Sequence, residues 1–140
     1  RQGVANYRQA FKNVMTNALK SAGMQPSEIG HVHAHGLATS RCDREEAVAI
    51  HEIFNESETP VVAAKSFTGN LGAASGLVEA ISSLLAIREN QLFGTLNYET
   101  PDPDCPIRIS RECGNPGDSV LNLSITPQGQ ASAVIIRRFS

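Results

Sequence analysis

Apolar residues recur at helical spacing near the start of the chain: Tyr7, Ala10, Phe11, Val14, Met15, Ala18 and Leu19 share one face, with polar residues between them. Gly23 and then Pro26 follow, so the pattern predicts an amphipathic helix that stops at Gly23. The period then shortens to two in "HVHAH", residues 31–35, which predicts a strand between Gly30 and Gly36. Asp43 can cap a helix running from about 44 to 54. "PVVAAKS" repeats the strand pattern over 61–64, and beyond the glycine-rich "TGNLGAASG" a helix continues through "LVEAISSLLAIRE". "YETPDPDCPIR" reads as a proline-rich loop, after which 119–125 and 131–138 predict two strands joined by a turn at "TPQG". Strand–helix units followed by a strand pair predict an α/β fold with a mixed sheet, in one domain over residues 1–140.

Composition narrows the partners more than the fold. With 41% hydrophobic and 19% charged residues, the 140-residue chain can bury a core of its own. A formal net charge of −2, and no basic cluster beyond Arg137 and Arg138, give no electrostatic reason to expect nucleic acid or a membrane surface. No apolar run approaches the roughly 18 residues of a spanning helix, and "RQGVANYRQAF" lacks a signal-peptide core, so a cytoplasmic protein is expected. The absence of an initiator Met at Arg1 suggests a piece of a longer protein. Cys42, Cys105 and Cys113 are odd in number and form no CxxC pair, which points to reduced structural thiols rather than disulfides or a zinc knuckle.

Three of the four histidines lie at alternate positions of one predicted strand. His31, His33 and His35 then point to one face and Val32 and Ala34 to the other, with His35 at the carboxyl end, where open α/β sheets hold ligands. Same-face neighbours on one strand converge poorly on one ion, and no carboxylate stands at a familiar zinc spacing, so no metal is expected. His31 and His33 read as polar fillers on a half-exposed strand; His35 reads as the functional one, because Gly36 allows close approach of a ligand to the backbone.

"AHGLATSRCDREE" resembles the segment of the β-ketoacyl synthases, in the thiolase superfamily, where a catalytic His-Gly-Thr is followed by Asp and Glu: Asp43 lies eight residues after His35 and Glu46 eleven. "AAKSFTGNLGAASGLVEA" resembles the family's second signature, with Lys65 and Glu79 in the matching places. The resemblance covers essentially the whole chain and only the C-terminal half of such an enzyme. It implies half of a thiolase-like fold, a five-stranded mixed sheet with helices on its faces. The fifth strand would lie at residues 92–97 or at "PIRI". It also implies a decarboxylative Claisen condensation between an acyl group on a cysteine of the missing N-terminal half and a malonyl group on acyl carrier protein. Both substrates ride on phosphopantetheine, and no resident cofactor or metal is implied. His35 would be a hydrogen-bond donor, Lys65 and Glu79 a buried pair that orients it, Glu46 the anchor of its loop, and Asp43 and Thr39 supporting residues. Besides the carrier protein, the partners implied are the missing half and a second subunit in a homo- or heterodimer. One wall of a cleft without its other half should leave an apolar surface open.

Three departures from the family pattern bear on activity. Asn70 stands where the family has its second catalytic histidine; it cannot carry a proton but still offers an amide donor. Leu37 and Ala38 make the loop after His35 more apolar, with Thr39 retained. The family's glycine-rich gating loop falls at residues 124–130, where Pro127 removes a backbone donor and flexibility. Two functions are therefore expected as alternatives: a divergent synthase of fatty acid or polyketide biosynthesis, or a non-catalytic partner subunit resembling a chain length factor. On either reading the 140 residues alone are inactive.

Overall fold

The first predicted helix forms as α1, Tyr7–Ala22, in a computed structural model that describes residues 6–139. Asn6 caps it by accepting from the Gln9 N–H, and Gly23 ends it at φ +64°, the left-handed conformation that costs glycine least. The other helices are α2 (Ser40–Phe54), the single turn α3 (Lys65–Thr68) and α4 (Ser75–Glu89). The strands are β1 (His31–His33), β2 (Val61–Val62), β3 (Ser119–Ile125) and β4 (Ala131–Arg137). The order is β2-β1-β3-β4, with β1 parallel to both neighbours and β4 antiparallel to β3. None of the described helices is long and apolar enough to cross a membrane.

Among the described residues the mixed sheet has four strands where five were expected. Both candidate stretches are reduced to isolated bridges, Ile109 to Val61 and Leu92 to Gly114: Pro106 removes a donor at the start of "PIRI", and in 92–97 the Leu96 N–H donates to Ser66 Oγ rather than to a neighbouring strand. The strand predicted over 31–35 stops at His33, since the His35 and Gly36 amides turn away from the sheet to a side chain on α2. The second stops at Val62, because the chain winds into α3 from Lys65 onward. Helix α2 starts at Ser40 with Thr39 at its N-cap, so Asp43 lies in its first turn and not at the cap.

Helices α1 and α2 cover one face of the sheet, where Phe11, Met15, Leu19, Ile50 and Phe54 pack on Val32, Val61, Leu121 and Leu123. Burying such side chains is worth about 1.5–3 kcal/mol each. Helix α4 covers the opposite face the wrong way round. Its buried residues are Ser75, Glu79 and Ser83, with Ala86 and Ile87 only near its C-terminal end, while Leu77, Ile81, Leu84 and Leu85 are exposed. The sheet face beneath it is polar too. His31, His33 and Asn122 are buried, so β1, an interior strand, is not half-exposed, and its histidines are not surface fillers.

Each histidine is fixed by its partners. His31 Nδ1 lies 2.8 Å from the Pro116 carbonyl oxygen and donates to it. That approach depends on Gly30, where a Cβ would sit 2.4 Å from the same oxygen. His33 Nε2 accepts from the Ala64 N–H at 3.1 Å, so its Nδ1 carries the proton and donates to Ser83 Oγ at 2.8 Å.

Candidate active site

His35 sits just past the carboxyl end of β1 and is 6% exposed. Its own N–H and that of Gly36 donate to the two carboxylate oxygens of Glu46 at 2.6 and 3.0 Å, so a buried side chain on α2 ties down the loop. Burial pushes Glu46 up to about 7, against the pull of those two N–H groups. Gly36 makes the turn possible: its φ is +49°, and a Cβ there would lie 2.8 Å from the Ala63 Cβ. Ala38 follows in the same left-handed region at φ +63°.

Lys65 arrives from the end of β2 and spends its ammonium hydrogens inside the site. Nζ donates to the His35 carbonyl oxygen at 2.5 Å and to Glu79 Oε1, and lies 3.4 Å from His35 Nδ1. The pair with Glu79 is a buried salt bridge, not a solvated one. An ammonium can only donate, so the ring nitrogen facing it is the acceptor and the His35 proton resides on Nε2. Burial, then the Lys65 charge, depresses His35 to about 4, which makes it a neutral N–H donor at pH 7. Burial raises the Glu79 carboxyl, opposed by its hydrogen bond to Lys65 and that residue's charge.

A cleft of about 660 Å³ opens beside this cluster, lined among others by Gly36, Lys65, Asn70, Glu46, Asp43 and Cys105. Asn70 Oδ1 is held by the Gly72 N–H and by Ser75 Oγ, each at 3.1 Å. Burial raises the Asp43 carboxyl, against the smaller pull of the Thr39, Ala38 and Leu37 backbone. The structure thus brings His35, Lys65, Glu79 and Glu46 into one bonded cluster, with Asn70 and Asp43 on the adjoining cleft. Thr39 is the exception: it is exposed at the α2 N-cap, outside the cleft lining.

Neither Cys42 nor Cys105, the cysteine on the cleft, is set up as a nucleophile. Burial, together with the charge of Glu46 and Asp43, pushes Cys42 up to about 12, and burial raises Cys105 as well; neither is a ready thiolate at neutral pH. The segment 124–130 is a tight hairpin: the Thr126 N–H donates to the Gln130 carbonyl at 2.9 Å, and the Tyr7 hydroxyl donates to the Pro127 carbonyl at 2.9 Å. Three polar residues around the site went unnoticed in the sequence, namely Ser75, Ser83 and Asn122. The Asn122 amide donates to the Gly76 carbonyl at 3.3 Å and docks the start of α4 on the sheet. Ser75 and Ser83, eight positions apart on a mostly apolar helix with Glu79 midway between them, are the available signal.

Comparison with known proteins identifies the family and the fold. Residues 2–99 match the family model described as "Beta-ketoacyl synthase, C-terminal domain". The chain is 37% identical over 101 residues to the 3-oxoacyl-[acyl-carrier-protein] synthase 2 of Coxiella burnetii, an alignment covering 71% of this chain and 24% of that protein. The chain therefore spans about a quarter of the length of that relative. Among solved structures, the ishigamide ketosynthase/chain length factor superposes with a TM-score of 0.92 at 28% identity, over 98% of this chain and 34% of that one. A type II PKS acyl-carrier protein in complex with its ketosynthase bound to the hexaketide gives 0.89 at 31% identity, over 98% and 35%. Both are thiolase-like ketosynthases, and the mixed sheet with its helices is the same architecture. With both sequence signatures, the sheet and the family match in agreement, the chain belongs to the β-ketoacyl synthase family, as its C-terminal domain.

Proposed function

We propose that this domain supplies one wall of the active site of a decarboxylating condensing enzyme, whose N-terminal half brings the nucleophilic cysteine. A malonyl thioester on the phosphopantetheine of an acyl carrier protein loses carbon dioxide, and the electron pair of the broken C–C bond becomes an enolate on the thioester oxygen. The His35 Nε2–H and the Asn70 Nδ2–H stabilise that oxygen. The enolate carbon attacks the acyl thioester on the cysteine, a new C–C bond forms, and the thiolate leaves. Lys65, Glu79 and Glu46 position His35, and Asp43 shapes its loop. The observation that carries this reading is the His35 ring itself, neutral and turned by Lys65 so that its free N–H is a donor at the strand end.

Carbon dioxide release from malonyl-acyl carrier protein by the full-length protein tests it. His35→Ala should slow release about 10²-fold or more, the usual cost of losing one preorganised donor. Equal release from wild type and variant would refute the role of His35. A second reading, a non-catalytic partner subunit, is favoured by the hairpin at 124–130, which Tyr7 pins where the family has a mobile loop.

A further inference from the structure

Asn70 is useful as a donor only if its carboxamide points one way. Its two ends are nearly alike in shape, and the terminal torsion of an asparagine is broad and roughly two-fold. Turned over, it would present an oxygen lone pair to the developing negative charge and oppose the reaction. Something must hold it.

Ser75, the first residue of α4, is 4% exposed and stands at that point. The Leu71 N–H donates to Ser75 Oγ at 2.9 Å, which leaves the hydroxyl's own hydrogen for Asn70 Oδ1 at 3.1 Å. The Gly72 N–H donates to the same oxygen. A main-chain N–H can only donate, so the carboxamide atom facing it must be the oxygen, and the Nδ2 donors are turned away from the start of α4. Asn70 is among the residues that line the cleft. We infer that Ser75 is a positioning residue: its hydroxyl, relayed from the Leu71 amide, locks the Asn70 carboxamide with its N–H donors toward the reacting thioester oxygen. This rests on the proposed condensation, and the serine matters because this chain has an asparagine there, whose oxygen takes the hydroxyl hydrogen.

The test is a double-mutant cycle on malonyl decarboxylation by the full-length protein, with crystal structures of the wild type and of Ser75→Ala. Ser75→Ala should lower the rate about tenfold and Asn70→Ala about 10²-fold, while the double variant is no slower than Asn70→Ala alone. A tenfold loss from Ser75→Ala that persists in the Asn70→Ala background would overturn the inference, because Ser75 would then act through the fold. In the Ser75→Ala structure, the Asn70 carboxamide should leave the Gly72 N–H or be split between two orientations. A single unchanged orientation, with Oδ1 still on the Gly72 N–H, would also overturn it. A wild-type protein that releases no carbon dioxide defeats the proposed function instead, and the orientation of Asn70 alone then decides the role of Ser75.

Discussion

Ala38 occupies the left-handed region at φ +63° with a Cβ that glycine would not carry there, and it does so three residues after His35. That conformation costs an L-residue about 1–2 kcal/mol. Ala38→Gly should therefore raise the unfolding free energy of the domain by about 1 kcal/mol in chemical denaturation, less the added flexibility of the unfolded chain. An unchanged or lowered value would mean that the loop relaxes. At this scale the sequence was legible where spacing carries chemistry. His35, Glu46, Lys65 and Glu79 stand at the family offsets and close into one bonded cluster. Thr39 was misleading, because position in a motif does not say which way a side chain faces, and this one faces solvent at a helix cap. Ser75 was illegible, because a serine at a helix start is common and only the fold places Asn70 against it.

At the scale of elements, the polar seam between β1 and α4 is the feature that hydrophobic patterning cannot foresee. Alternation in "HVHAH" identified a strand and the relative facing of its side chains. It missed the strand's interior position, because polar residues ordinarily mark the solvent side. Here His33 is wholly buried with both ring nitrogens bonded, and burial, then the His31 and Lys65 charges, lowers it to about 3. Unfolded, it titrates near 6.5, so the stability due to the neutral ring is fully present above that value and is lost as pH falls from 6.5 toward 3. His33→Gln has no such group. The gap in Tm between wild type and His33→Gln should narrow between pH 7.5 and pH 5, by about 2 kcal/mol in stability terms. A gap that is constant or widens toward acid would show that His33 is not held neutral.

For the whole molecule, the inverted α4 matters most. Leu77 is 67% exposed, and with Ile81, Leu84 and Leu85 it makes an apolar stripe on the side away from the sheet. An open surface was expected from the half-length match alone, but its place on α4 followed only from seeing which face the serines and Glu79 take. On our reading the N-terminal half covers it. The 140-residue chain alone should self-associate in light scattering, and replacing Leu77, Ile81 and Leu85 by glutamate should return it to monomer. A monomeric wild-type chain would show that the stripe needs no cover.

The central claim is that this domain belongs to a working condensing site and not to a silent partner. Intact-mass measurement of the full-length protein after incubation with an acyl-acyl carrier protein, followed by malonyl-acyl carrier protein, tests it most directly. We predict an acyl adduct on a cysteine outside these 140 residues, discharged as a β-ketoacyl product when the malonyl thioester is added. No adduct and no product would contradict the claim and leave the partner-subunit reading standing.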